Sequence, residues 1–358
     1  MRIAEKPHDI DAAWMTQALG GEHGILNGAR VTDVSFRGVG HGMMSDSFRF
    51  DLTYDRSDPA LPATVVGKFA AADPTSKATA TNYQIYRTEV GFYRDVAPTL
   101  LANVPQPYYV GLDEQTDYFT IIMRDLAPAR AIDQMAGCSL EDAEAAIREV
   151  AKLHGSRWDD PTLADLPWLA HKAKVINQQM IQALPDLFNG FLDRYRDMLE
   201  PEYQAYVRRL LPIYPKILTD QNGPQTVQHG DYRLDNLLFD VGGAGNVHIL
   251  DWGTVAHASG LTDVSYFIGA SLNEQQRADH ERDLVRIYYD TLSGLPIGDY
   301  SWDDCWRDYR RFCFLGISTG IVAPMMVERS DRADRLFLDM VRNYSRQIEV
   351  LDSFSFWE

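Results

Sequence analysis

Apolar positions recur with two different periods along this chain, and the change of period divides it. Residues 31–36, 47–54 and 64–70 are short runs rich in β-branched and aromatic residues, bounded by turn formers, which predicts three strands. A glycine-rich turn at 37–44 joins the first two, and an Asp/Pro loop at 55–62 joins the next two. Residues 9–19 predict a short capped helix with Ile10, Trp14 and Ala18 on one face. Residues 79–96 predict a longer helix, because Tyr83, Tyr86, Val90 and Tyr93 recur at three- and four-residue steps. Two further strands are expected at 107–112 and 118–123, around the turn DEQTD.

After Leu126 the helical period dominates. Residues 139–154 open on a capping pattern, Ser139 followed by Asp142 in place of the usual Glu. Long helical stretches are expected at 172–200, 201–218, 275–292, 302–322 and 331–351. They are interrupted between 226 and 252 by two apolar runs, VQHGDYRLDNLLFD and VHILDWG, with GGAGN between them as a hairpin turn. The expectation is an α+β chain in two lobes. Residues 1–125 form a small strand-rich lobe and 126–358 a large helical lobe with an inserted hairpin, joined by one connection near 125–129 that leaves a cleft.

Composition narrows the function classes. The 358 residues carry 34 Lys+Arg against 51 Asp+Glu, a net charge of −17. That balance argues against nucleic acid and against an anionic membrane as partners, since both need a cationic surface. Three cysteines, with no CxxC spacing, indicate neither a disulfide framework nor a zinc site and fit a reducing compartment. The first twenty residues lack the apolar core of a signal peptide, and the least polar stretch, 313–327, is short for a membrane crossing and contains Pro324. A cytoplasmic protein is expected; its oligomeric state is not legible.

Candidate chemistry concentrates in three places. His229, Gly230 and Asp231 are followed by Asn236, and Asp251 ends the run VHIL ahead of Trp252 and Gly253. Pairing of 229–239 with 247–252 would bring the two carboxylates and the amide together, one carboxylate to accept a proton, the other with the amide oxygen to hold a hard cation. The loop Arg37–Ser45 alternates glycines (Gly38, Gly40, Gly42), which lets backbone N–H groups approach phosphates; a tight turn explains the glycines equally well. Lys68 lies inside the apolar run TVVGKFA, where an inward lysine needs a partner, and Glu89 on the next helix is the partner expected. The competing reading is an edge-strand lysine that snorkels to solvent.

A glycine-rich hairpin, a strand lysine, a helix glutamate, HGDxxxxN and a strand-end Asp together resemble the protein-kinase-like fold. The HGD form and the Trp252-Gly253 that follows Asp251 resemble the aminoglycoside phosphotransferase and choline kinase superfamily. TNYQIYRTEVGFYRDVAP and MRDL at 123–126 resemble its bacterial aminoglycoside-phosphotransferase-like and ecdysteroid-kinase-like branch. The resemblance spans about residues 30–345 and implies an ATP- and Mg²⁺-dependent kinase of small-molecule hydroxyls. It casts Asp231 as the catalytic base, Asn236 and Asp251 as Mg²⁺ ligands, and Lys68, fixed by Glu89, on the α- and β-phosphates. Gly38, Gly40, Gly42 and Ser45 would cover the phosphates, and backbone groups from Met123 to Asp125 would hold the adenine. His229 would support the loop backbone and Asp263 would brace it. A protein kinase is disfavoured, because 12 residues between Asp251 and Asp263 leave no room for an activation segment and APE is absent.

The acceptor is less legible. Trp302, Trp306, Phe312, Phe314, residues 316–320, Met325 and Met326 read either as the wall of an apolar pocket or as plain packing core. The carboxylates that a polycationic aminoglycoside would need (Asp159, Asp160, Asp193, Asp197, Glu200, Asp303, Asp304) are scattered along helices. An uncharged or weakly polar alcohol is therefore expected, with an aminoglycoside kinase or a nucleotide-binding pseudoenzyme as alternatives. A metal-dependent hydrolase would leave Lys68, Glu89 and the glycines unexplained.

Overall fold

The computed structural model describes residues 1–21, 24–40, 44–327 and 329–358. The architecture is α+β, and the chain forms two compact units. Unit one comprises Met1–Pro98 and Val104–Ala127, and unit two Thr99–Asn103 and Pro128–Glu358. The chain thus changes unit three times. The short excursion has a local reason: the Ile249 amide donates to the Asn103 carbonyl (3.0 Å), and the Asn103 side-chain amide donates to the Val247 carbonyl (3.1 Å), binding this segment to unit two.

Unit one contains helix α1 (Ala12–Leu19) and strands β1 (Val31–Gly38), β2 (Ser45–Tyr54) and β3 (Thr64–Ala70). Helices α2 (Pro74–Asn82) and α3 (Ile85–Gly91) follow, then β4 (Pro107–Leu112) and β5 (Phe119–Arg124). The strands form one antiparallel sheet in the order β1-β2-β3-β5-β4. Phe50, Val65, Phe69 and Ile122 form its core with Met15 and Leu19 of α1. Gly67 is required there: a Cβ would lie 2.7 Å from the Phe50 ring and 3.1 Å from Ile122. The helix expected over 79–96 is in fact three pieces. Asp73 caps α2 by accepting the Ser76 amide, Gln84 turns left-handed (φ 56°) and breaks the run, and Phe92–Val96 close it as a π-turn.

Unit two begins with β6 (Arg130–Ala131) and α4 (Leu140–Ser156), whose cap is Ser139, accepting the Asp142 amide. Next come α5 (Pro167–His171), a π-turn at Lys172–Ile176, α6 (Asn177–Arg194), α7 (Pro201–Leu210) and α8 (Tyr214–Leu218). Four short strands follow, β7 (Thr226–Gln228), β8 (Leu237–Phe239), β9 (Val247–Ile249) and β10 (Ala256–Ala258). The unit ends with α9 (Leu261–Ser271), α10 (Glu274–Ser293), α11 (Trp302–Arg311), α12 (Leu315–Val322) and α13 (Asp331–Val350).

Three expectations need correction here. The hairpin is shorter than 229–239 with 247–252: only β8 and β9 pair with each other, while β7 pairs with β10. Residues 229–236 are a loop ending in a 3-10 turn, because their polar groups bond to side chains rather than to a ladder. The helix expected over 302–322 breaks at 312–314 into α11 and α12, and the one over 201–218 breaks at 211–213. Helix α9 was not expected at all. Nine of its residues on every side are buried, so it has no polar face to supply a period. Among the described residues no helix is long and apolar enough to cross a membrane.

Candidate functional site

In unit one, Lys68 sits on β3 opposite Ile121 of β5, with its stem among apolar neighbours. Its ammonium lies 2.7 Å from Oε1 of Glu89 on α3, and both side chains are buried. Helix α3 is anchored by the neighbouring Tyr86, whose hydroxyl accepts from the Ala71 amide (3.0 Å) and donates to the Met44 carbonyl (2.8 Å). Gly38 ends β1 opposite Phe48, and Gly40 has φ 76°. A Cβ at either would meet nothing within 4 Å, so neither glycine is demanded by packing. Gly42 lies outside the described residues. Ser45 opens β2 and is buried.

The segment Met123–Asp125 closes β5. Met123 is buried beneath Tyr93, and the Arg124 amide already donates to the Gln106 carbonyl (2.9 Å). The Asp125 carboxylate accepts from Thr64 Oγ1 (2.7 Å), Arg49 Nη2 (3.0 Å) and the Ala127 amide (3.1 Å). Burial alone would raise its pKa; the Thr64, Ala127 and Arg49 donors hold it below its ordinary value. Its side chain therefore clamps β2, β3 and the end of β5 together.

In unit two, Asp263 at the start of α9 is fully buried and accepts the amides of His229 (2.6 Å) and Gly230 (2.9 Å), with His154 Nε2 3.2 Å away. A buried carboxylate that accepts two amides presets the turn of the loop. Gly230 adopts φ +80°, and a Cβ there would stand 2.7 Å from the Thr254 carbonyl oxygen, so the two loops can meet only through glycine. His229 crosses between the same loops. Its Nδ1 accepts the Asp231 amide (3.1 Å), which leaves Nε2–H to donate to the Leu250 carbonyl (2.8 Å). Asp251 follows two residues after β9 and is left-handed at φ 63°, a strained conformation for a non-glycine residue.

Asp231 and Asn236 are in contact. Asn236 Nδ2 donates to Asp231 Oδ2 (2.8 Å) and to the Asp231 carbonyl (2.9 Å). With the amide nitrogen so engaged, the amide oxygen of Asn236 is the atom left for a cation, and amide oxygens and carboxylates are the ligand types that Mg²⁺ takes.

Several contacts were not legible beforehand. Arg233 Nε lies against Asp231, and Arg233 Nη1 bonds Asp235 (2.5 Å). The Tyr266 hydroxyl donates to Asp231 Oδ1 (2.9 Å). Lys172 Nζ donates to the Thr254 carbonyl and to that of Val255 (2.6 Å), pinning the loop after Asp251. Gln134 Oε1 accepts the Leu234 amide (2.8 Å). Arg233, two residues after Asp231, carried a signal in its spacing; Tyr266 and Lys172 carried none.

Of the two readings for the aromatic stretch after 302, the structure favours packing core. Phe312 packs on Trp357, Phe314 on Phe354, and Gly316 lies under the Tyr344 ring. Trp302 and Trp306 stack on one another (6.0 Å) beneath Arg282 and Arg286. Of the scattered carboxylates, Asp193, Glu200 and Asp304 pair with Arg196, Arg342 and Arg307.

The sequence matches the ecdysteroid kinase-like family over residues 39–295, well over half of the chain. The chain belongs to the ecdysteroid kinase-like family. Membership makes it a small-molecule kinase. No curated protein is a significant match to the sequence. Among solved structures, the GDP complex of aminoglycoside 2′-phosphotransferase-IIIa aligns over 94% of this chain and 98% of its own, with 13% identity and a TM-score of 0.54. Ethanolamine kinase from Plasmodium vivax aligns over 89% and 84%, with 10% identity and a TM-score of 0.53. The gentamicin complex of APH(2″)-IIa aligns over 94% and 96%, with 14% identity and a TM-score of 0.51. These likenesses establish the protein-kinase-like fold of this ecdysteroid kinase-like protein.

Proposed function

We propose that the protein transfers the γ-phosphate of Mg·ATP to a hydroxyl of a small, uncharged or weakly polar molecule, with Asp231 as the base. The observation that carries this reading is the braced loop 229–236, in which Asp263 sets the backbone and Asn236 grips Asp231 at 2.8 Å. Phosphoryl transfer asks for positioning and charge neutralisation more than for covalent chemistry. Asp231 accepts the proton of the acceptor hydroxyl as its oxygen attacks phosphorus. Lys68, held by Glu89, neutralises the α- and β-phosphates, and the backbone at Gly38, Gly40, Gly42 and Ser45 covers them. Among the described residues, a Cβ at Gly38 or Gly40 would meet nothing within 4 Å, which supports this assignment. Backbone groups of Met123 to Asp125 hold the adenine. Asn236 and Asp251 hold Mg²⁺, which when bound offsets the charge of the phosphates. The GDP complex among the structural neighbours supports use of a purine nucleotide. The pairing of Asp193, Glu200 and Asp304 with arginines favours an uncharged alcohol over a polycation.

The test is a mass-spectrometric screen of Mg·ATP with pooled sterols, amino alcohols, hydroxyacyl thioesters and aminoglycosides, scored for gain of one phosphate. Asp231→Asn is expected to lower turnover by about 10²- to 10⁴-fold with nucleotide binding nearly intact. Full turnover in that variant would overturn the base assignment.

A further inference from the structure

Asp231 is held at both ends of its carboxylate. Oδ2 receives Asn236 Nδ2 (2.8 Å), Oδ1 receives the hydroxyl of Tyr266 (2.9 Å), and Arg233 Nε is shared between the two (3.1 Å from Oδ1, 3.2 Å from Oδ2). The terminal torsion of an aspartate is soft, and one Nε–H shared between both oxygens at 3.1 and 3.2 Å restrains it weakly, so the shorter Tyr266 contact is the one that fixes Oδ1. We propose that Tyr266 is a positioning residue for phosphotransfer, locking the Asp231 carboxylate in the orientation that receives the acceptor proton. This inference rests on Asp231 being the base.

The phenol is itself immobilised. Its ring lies parallel to that of Tyr344 on α13 (centroids 5.7 Å apart, 20° between planes), and the Tyr344 hydroxyl donates to the Tyr266 carbonyl. Tyr344 in turn packs flush on two glycines: a Cβ at Gly269 would come within 2.2 Å of its ring, and one at Gly316 within 2.0 Å. Helices α9, α12 and α13 therefore pack around the Tyr266 ring through Tyr344. Packing alone would be served by phenylalanine at this fully buried position; a buried hydroxyl needs partners, and Asp231 is one of them. Burial, then the Asp231 charge, push the phenol's pKa well above 10, so Tyr266 stays a donor throughout the neutral range.

The experiment compares wild type, Tyr266→Phe, Asp231→Asn and the double variant. The readouts are phosphate release from Mg·ATP with water as the acceptor, nucleotide affinity by calorimetry, and thermal unfolding. Tyr266→Phe is expected to slow phosphate release about tenfold while nucleotide affinity and melting temperature hold. In the Asp231→Asn background the same change should have no further effect, because it acts only through that carboxylate. An unchanged rate, or an equal loss in both backgrounds, overturns the proposal. A wild-type rate in Asp231→Asn alone would instead sink the base assignment and is read separately. A second measurement is independent of turnover: in protein labelled at the aspartate carboxyl carbons, the Asp231 resonance should move in Tyr266→Phe. A resonance that stays put in Tyr266→Phe overturns the contact itself.

Discussion

Arg233 addresses both oxygens of Asp231, with its Nε 3.1 Å from Oδ1 and 3.2 Å from Oδ2. The same guanidinium reaches Asp235, so one largely buried cation serves two carboxylates within five residues of chain. Burial would lower its pKa, but the charges of Asp231 and Asp235 hold it above its ordinary value. Arg233→Ala should therefore cost about 2 kcal/mol of stability and also slow turnover, measured by urea unfolding and by the phosphate-release assay. Arg233→Lys should recover less than half of the rate, because a point charge cannot bridge both carboxylates as the planar fork does.

The pair Lys68–Glu89 makes a second prediction. Glu89→Gln keeps the shape of the side chain but removes the carboxylate 2.7 Å from a buried ammonium. Breaking such a pair costs about 3 kcal/mol. We expect lower stability in urea and at least tenfold weaker Mg·ATP binding by calorimetry. Unchanged nucleotide affinity would remove Lys68 from the phosphate site.

Asp263 is expected to matter for the backbone rather than for chemistry. Asp263→Ala strands the buried amides of His229 and Gly230, at a cost of about 1–3 kcal/mol for each unsatisfied donor. The melting temperature should fall, and hydrogen exchange of both amides should accelerate relative to wild type.

Lys172 predicts a pH dependence. Burial pushes its ammonium from 10.5 down to about 7. Between about pH 7 and pH 10 the unfolded chain then holds a proton at this position that the folded protein has lost. Where the unfolded state binds more protons, stability rises with pH. The stability of wild type minus that of Lys172→Met should accordingly increase from pH 7 to pH 9 in urea titrations. A flat difference would mean that Lys172 keeps its ordinary pKa.

Gly316→Ala should test the packing behind Tyr266. The added methyl would overlap the Tyr344 ring, and overpacking of this kind costs about 1–3 kcal/mol. Thermal unfolding should register the loss, and turnover should fall with it as Tyr344 shifts under Tyr266.

Strands β3, β4 and β5 were legible almost to the residue, since each is a short apolar run closed by turn formers whose information is local. The residues His229, Asp231 and Asn236 were legible as a group because polar residues at fixed spacing inside apolar runs stand out. Lys68 and Glu89 were legible too: a lysine in a buried strand demands a carboxylate, and 21 positions on there was one. Other features depended on distant parts of the chain. The break at Gln84 is a left-handed residue inside an otherwise helical run, and α9 has no polar face to betray it. Tyr266 reaches Asp231 across 35 positions, and Lys172 reaches Thr254 across 82. Periodicity and spacing report which residues share a face or a turn, so the sequence by itself determined the strands, the family and the candidate groups. Only the packing of α9 against α12 and α13 brings the Tyr266 hydroxyl to Oδ1 of Asp231, because that contact joins segments that no local pattern connects.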